Sequence, residues 1–307
     1  MQTDVIAPQH HTRSAVHAQR APPTGCARVA IATVLVFGIA LSAVLLFALE
    51  SKATLGTSIT RATIAPHTGP PNFPVGNVEL LEPSGMGPPL PSSLPGYRRV
   101  YTQDFSGTRL PPGWTAFTGV PGGDPEAHFV VRNVRVGGGM LRLVTTPAGY
   151  RHWHAGGLCQ CARPMRFGAF FVRSRITGAG PNEVELLWPA NNQWPPEIDF
   201  NESGSRWAAT SGTVHFGPPT AEHFIQQNYY PIDLKRWHTW GVVWTPTSVT
   251  YTVDGYQWGT TLRTPGTIPQ LPMTLDLQQR PQCPPGAGCP NQNQSMLVDW
   301  VAEFVRA

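Results

Sequence analysis

Along residues 97–307, apolar and polar positions trade places in short runs rather than in long helical stripes. The alternation is plain in "VTYTVDG" (249–255) and "VDWVAEF" (298–304), where successive side chains of an extended chain point to opposite faces. Other β-rich runs recur, among them "RRVYTQDF", "HFVVRNVRV", "MLRLVTT", "FGAFFVRSRI", "EVELLWP", "SGTVHFG", "HTWGVVWT" and "MTLDLQ", each bounded by Gly, Pro or Asn. No stretch of this region keeps a 3.6-residue period. The pattern predicts one all-β domain, an antiparallel β-sandwich or jelly roll without internal repeats. Trp240, Trp244 and Trp300 fall in regular strand runs and are expected in its core.

The N-terminal third follows other rules. Residues 29–49 ("VAIATVLVFGIALSAVLLFAL") carry no charge, and as a helix they would span roughly 31 Å, the thickness of a bilayer's hydrocarbon core. The 28 residues before them hold Arg13, Arg20 and Arg28 against Asp4 alone, while Glu50 and Lys52 cancel on the far side. The positive-inside rule then keeps the N-terminus cytoplasmic and sends the remainder outside. A cleaved signal peptide is the alternative, but its apolar region is shorter and closer to the terminus. Residues 50–96 hold nine prolines, in strings such as "GPPNFP" and "GPPLPSSLPG", and are expected to form an extended extracytoplasmic stalk.

Composition narrows the function. Basic and acidic residues number 22 and 18, the basic ones are scattered, and no run of them interleaved with aromatics suggests a nucleic-acid surface. Export would leave Cys26 reduced at the cytoplasmic edge and place Cys159, Cys161, Cys283 and Cys289 in an oxidising compartment. A bridge between Cys159 and Cys161 would close a strained ring. The expected outcomes are instead a bridge between Cys283 and Cys289 or two bridges joining the two segments. The CxC and Cx5C spacings also suit zinc, but no histidine completes a tidy site.

One stretch concentrates chemistry. "WPPEIDFNESG" (194–204) places Glu197, Asp199 and Glu202 within six positions. In a regular strand Glu197 and Asp199 share a face and Glu202 takes the other. A β-bulge with Phe200 or Asn201 as the extra residue would bring Glu202 back to the shared face. Two carboxyls across a sugar groove, one as nucleophile and one as acid and then base, are what a retaining glycosidase requires. A middle Asp would push their pKa values apart. The bland reading of the same three acids is an exposed acidic strand or a calcium-binding edge. Trp188 and Trp194 lie just upstream, and indole rings stack well on the C–H face of a sugar.

The stretch resembles the active-site strand of glycoside hydrolase family 16, in the bulged E-x-D-x-x-E form of its laminarinase-like members. "FGAFFVRSRI" and "SGTVHFG" are similar to the family's strands on either side of the cleft. "WHTWGVVWTPTSVTYTVDG" resembles its paired back strands and "MLVDWVAEFV" its closing strand, so the resemblance covers roughly residues 98–307. It implies a curved jelly-roll sandwich with a concave substrate groove. It also implies Glu197 as nucleophile, Asp199 as its electrostatic helper and Glu202 as acid/base. Trp194 matches a tryptophan that stacks on sugar near the cleavage point, His215 a polar residue on the leaving-group side, and Gln278, more loosely, a groove-lining position.

Two features depart from the family's pattern. Pro195 and Pro196 precede Glu197 where many relatives have Gly, so the strand should begin only at Glu197 or lie unpaired there. Residues 278–294 are more irregular than the usual approach to the last strand. Many relatives hold a structural calcium on the convex side through an acid of the last strand. Asp299 is the candidate here, against a plain solvent-facing acid. No cofactor is otherwise expected.

The chain is thus expected to comprise a basic cytoplasmic tail (1–28), a transmembrane anchor (29–49), a stalk (50–96) and a catalytic domain (97–307). The expected function is endo-acting retaining hydrolysis of β-glucan by a monomer, with β-1,3-glucan as the substrate the resemblance implies and mixed-linkage β-glucan or a galactan as the other substrates. A carbohydrate-binding surface protein without turnover and a transglycosylase are the alternatives.

Overall fold

The computed structural model describes residues 56–62, 69–178, 181–204, 206–281 and 292–307. The strands in chain order begin with β1 (Ser58–Ala62), β2 (Tyr97–Gln103), β3 (Thr115–Ala116), β4 (Ala127–Phe129), β5 (Val134–Val136) and β6 (Leu141–Gly149). They continue with β7 (His152–Cys159), β8 (Gly168–Ile176), β9 (Pro181–Pro189), β10 (Glu197–Glu202), β11 (Thr210–Phe216) and β12 (His223–Tyr229). The last are β13 (His238–Thr245), β14 (Ser248–Val253), β15 (Tyr256–Leu262), β16 (Met273–Pro281) and β17 (Gln294–Arg306). Apart from one 3-10 turn at Val131–Asn133, no helix occurs among the described residues, in keeping with the period-2 pattern of the sequence.

The strands form two layers. The front sheet runs β1-β12-β11-β10-β9-β16-β7-β3, and all its neighbours are antiparallel except β1 and β12. The back sheet runs β15-β14-β13-β8-β17, and β17 then pairs with β2 near its C-terminal end and with β6 near its start. β6 and β7 pair with each other and join the layers.

Alternation decides which side chains fill the space between the sheets. Leu187, Ile198, Phe200, Val214, Leu275 and Leu277 from the front meet Phe170, Val172, Trp240, Val242, Tyr251, Val298 and Val301 from the back. Trp240 and Trp244 lie in this core as expected. Trp300 is equally buried but on the outer face of the back sheet, packed with Phe171, Phe304 and Leu94.

That outer packing corrects the stalk. Residues 69–96 lie across the back sheet and are held by specific bonds. The Val75 carbonyl accepts from Thr239 Oγ1 at 2.6 Å, and the Met86 carbonyl accepts from Trp300 Nε1 at 3.0 Å. Arg173 Nε donates to Ser84 Oγ at 2.6 Å. β1 adds in parallel register to the edge strand β12, Ser58 opposite Ile225 through Ala62 opposite Tyr229. Proline-rich composition misled the sequence reading because such a segment needs no core of its own when a sheet supplies the apolar partner. The anchor at 29–49 and Cys26 lie outside the described residues, among which no helix is long and apolar enough to cross a membrane.

Two smaller expectations also change. Cys159 and Cys161 are joined by a disulfide across a Cα–Cα separation of 5.0 Å, within the usual range for such bonds. The chain turns sharply as β7 ends, which brings the two residues closer than an extended CxC would allow. Cys283 and Cys289 lie outside the described residues. Asp299 is not a solvent-facing acid: it is fully buried, and its Oδ2 accepts the Ser84 N–H at 3.2 Å. Arg173 supplies positive charge beside it.

If residues 69–96 are part of the fold, Leu94→Ala removes a buried side chain between Phe171, Trp300 and Phe304 and should cost about 2–5 kcal/mol. Thermal unfolding should then show a midpoint lower by about 5 °C or more. A free stalk would leave it unchanged.

Candidate active site

β10 begins at Glu197, directly after two cis peptide bonds, Trp194-Pro195 and Pro195-Pro196. Proline has no N–H for the ladder, so pairing starts where the prolines stop. Ile198 then faces Leu187 of β9 and Val214 of β11, and Asp199 faces Leu186 and Thr213. At the next step the registers shift: Asn201 lies opposite Glu185, and Glu202 opposite Val184 and Ser211. Phe200 is therefore the extra residue relative to β9. Its ring and the Ile198 side chain both enter the core, and the phase of the strand is reset behind Phe200. Glu197, Asp199 and Glu202 consequently share the outer face of the front sheet.

Each acid has a partner fixed by the ladder. Trp194 Nε1 donates to Glu197 Oε2 at 2.7 Å. His215 stands opposite Glu197 in β11. Its Nε2 lies 3.1 Å from Asp199 Oδ2, and its Nδ1 lies 2.7 Å from Glu222 Oε1. At the other end Asn182 Nδ2 donates to Glu202 Oε1 at 3.0 Å, and Arg280 Nη2 lies 3.7 Å from the same oxygen. The Asn182 side chain also accepts the Gly204 N–H at 2.7 Å, which clamps the chain just beyond Glu202.

Burial sets the electrostatics. Desolvation pushes the carboxyl of Glu197 well above its usual range, and the negative charge of Asp199 pushes it further. Glu202 is raised by the same two causes in the same order, with Arg280 and the Asn182 amide opposing them. Two such carboxyls around a third hold a proton near neutrality rather than ionising together. Burial alone would lower the pKa of His215, but hydrogen bonds to Asp199 and Glu222 outweigh it and lift the imidazolium well above its ordinary value. The side-chain oxygens of Glu197 and Asp199 and a ring nitrogen of His215 lie within 4.8 Å of one another. With both ring nitrogens donating to carboxylates, however, His215 has no lone pair to offer a metal.

All the site positions read from the sequence fall on this face. Trp188 pairs with Thr274 of β16 and packs with Val184, Leu186 and Trp194. Its Nε1 donates to Asn192 Oδ1 at 3.1 Å. Gln278 sits in the same cross-strand row as Val184 and Glu202. Sequence reasoning missed Asn182, Arg280, Glu222 and the buried Asp276. The first two lay within reach of the alternation argument. Asn182 precedes Trp188 by six residues of one strand and Arg280 follows Gln278 by two, so each shares a face with a residue already singled out. Glu222 lies in a turn and carries no comparable signal.

The model of the family "Glycosyl hydrolases family 16" matches residues 128–301, more than half of the chain. The chain belongs to this family. It is a glycoside hydrolase. No curated protein matches by sequence. Among solved structures, the catalytic domain of an endo-1,3-beta-glucanase (laminarinase) from Thermotoga petrophila RKU-1 is 18% identical. It superposes with a TM-score of 0.60 over 68% of this chain and 98% of its own. The laminarinase from Rhodothermus marinus is 19% identical, with a TM-score of 0.61 over 69% of this chain and 98% of its own. A Bacteroides ovatus family 16 protein of a mixed linkage glucan locus, in complex with a G4G4G3G product, is 18% identical. Its TM-score is 0.59 over 66% of this chain and 99% of its own. These likenesses establish the all-β fold.

The raised pKa of His215 gives a stability effect with a definite sign. Its charged form contributes fully below the unfolded histidine value, near 6.5, and the contribution is lost as pH rises through the higher folded value. His215→Asn should therefore lower stability by about 2 kcal/mol at pH 6 and by less as pH is raised. Urea unfolding midpoints across that range measure it; a constant loss would contradict the assignment of charge.

Proposed function

We propose that the chain is a retaining, endo-acting β-glucan hydrolase with β-1,3-glucan as its main substrate. The observation that carries this reading is the bulge at Phe200, which sets Glu197 and Glu202 on one face with Asp199 between them. Glu197, held by the Trp194 indole, attacks the anomeric carbon. Glu202, kept protonated by burial beside Asp199, gives its proton to the departing glycosidic oxygen. In the second step Glu202 takes a proton from water, which attacks the glycosyl ester on Glu197 and restores the anomeric configuration. The Asp199 carboxyl lies between them, 3.1 Å from His215 Nε2. Trp194 gives sugar rings an apolar wall, backed by the buried Trp188, and the buried Gln278 lies further along the same face of the sheet. The choice of β-1,3-glucan is supported by the laminarinase names of several structural neighbours, and the Bacteroides ovatus neighbour makes mixed-linkage glucan the comparison substrate.

The purified enzyme should release oligosaccharides from laminarin faster than from lichenan, with the β-anomer appearing first by proton NMR. Glu197→Gln should abolish release, and Glu202→Gln should reduce it about 10²- to 10⁴-fold. First appearance of the α-anomer, or normal turnover by Glu197→Gln, would sink the mechanism.

We also propose that residues 29–49 anchor the chain with the hydrolase domain outside the membrane. The support is the uncharged 21-residue span and the arginines that precede it. Cell fractionation should find full-length protein in the membrane fraction, cleavable by protease added to intact cells. A shortened chain in the medium would instead show the span to be a cleaved signal.

A further inference from the structure

Directly behind the active-site strand, inside the sandwich, lie two carboxyls that the hydrolytic mechanism does not use. Glu183 and Glu185 of β9 are both fully buried and project into the core layer. One hydroxyl joins them: Ser174 Oγ of β8 lies 2.9 Å from Glu183 Oε1 and 2.5 Å from Glu185 Oε1. A serine hydroxyl has one hydrogen and can donate to only one acceptor. The second short contact therefore needs a proton from the carboxyl side, so Glu185 is held as the neutral acid that donates to Ser174, while Ser174 donates to Glu183. Desolvation followed by the neighbouring Glu183 charge raises Glu185 well above its ordinary range, in agreement with that assignment.

The third member is Asn201. It lies opposite Glu185 in the ladder, on the core side of the bulge and immediately before Glu202. Both side chains are fully buried, and Asn201 Oδ1 accepts from Thr210 Oγ1 at 2.5 Å. Asn201, next to the acid/base, is thus backed by Glu185 of β9, which β8 holds through Ser174, and is bonded to Thr210 of β11. On the opposite face Asn182, one residue before Glu183, grips Glu202 itself.

A pair of buried acids is a poor way to stabilise a sandwich, since apolar side chains of similar size would usually serve better. We infer that Glu185, with Glu183, Ser174 and Asn201, is a positioning unit whose task is to lock the phase of the bulge and so aim Glu202 at the glycosidic oxygen. Glu185 does not touch substrate; it acts through Asn201 on the direction of its neighbour. The inference rests on the reading of Glu202 as the proton donor.

The test compares two aryl β-glycosides of laminaribiose. A 2,4-dinitrophenyl group leaves without proton assistance, whereas phenol needs it, so kcat/KM for the pair isolates proton donation from the rest of the site. Glu185→Leu should lower kcat/KM about tenfold or more on the phenyl glycoside and less than about twofold on the dinitrophenyl one. Its thermal midpoint should be equal to or above that of the wild type. Glu185→Gln, which keeps a neutral hydrogen-bonding group, should restore the phenyl activity. Equal losses on both glycosides, or no loss on either, would overturn the inference.

If Glu185→Leu does not fold, Asn201→Ala carries the same comparison. If the wild type cleaves neither glycoside, it is the proposed function that fails. Amide hydrogen exchange then decides the positioning role: faster exchange at residues 200–202 of the variant, with β14 unchanged, upholds it, and unchanged exchange at 200–202 overturns it.

Discussion

The candidate active site depends on one extra residue in one strand. A sheet has a side-chain period of two, so E-x-D-x-x-E cannot place its three acids together unless the strand loses phase between the second and the third. Phe200 supplies the loss. Its ring enters the same core as Ile198, and the next residue, Asn201, also lies on the core side, so two adjacent residues face inward and everything after them is reset. Without that insertion Glu202 would face inward opposite Thr210 and the buried Glu183, where another unpaired carboxylate costs several kcal/mol. The bulge is therefore both the geometric and the electrostatic condition of the site.

Around the bulge, charge is balanced by neighbours from other strands. His215 sits between Asp199 and Glu222, and Arg280 approaches Glu202 while its Nη1 donates to the Gly122 carbonyl at 2.6 Å. Arg280 thereby ties the acid end of the face to the loop that runs into β4. These cations offset only part of the desolvation felt by the carboxyls, which is why Glu197 and Glu202 remain raised. Partial compensation of this kind keeps one carboxyl protonated while another is charged, as a two-carboxylate hydrolysis needs.

The opposite face of the molecule shows the same physics used for cohesion. The outer side of the back sheet carries Phe171, Trp300 and Phe304, an apolar surface too large to leave in water. The segment at 69–96 covers it, and its backbone carbonyls take the indole of Trp300 and the hydroxyl of Thr239. Proline suits this role because a docked extended chain needs few ladder N–H groups and loses little backbone freedom on binding. The buried Asp299 and Arg173 are closed over by Ser84 of that segment.

The sequence by itself determined the fold class, the strands and two of the three tryptophans expected in the core, because period-2 alternation and turn residues are local properties that a sandwich does not override. It also determined that Glu202 needs a phase shift, since the spacing of the three acids allows no other way to unite them. It left open which of Phe200 and Asn201 is the extra residue. That choice is made by the partners across the ladder: Leu186 and Glu185 are adjacent in β9, whereas Asp199 and Asn201 are two apart in β10. Only the tertiary structure brought Asn182, Glu222 and Arg280 to the acids, placed Glu183 and Glu185 behind the bulge, and laid a proline-rich segment on the back sheet. Each of those is a contact between residues remote in the chain, and a pattern of apolar and polar positions records which way a side chain faces but not what it meets there.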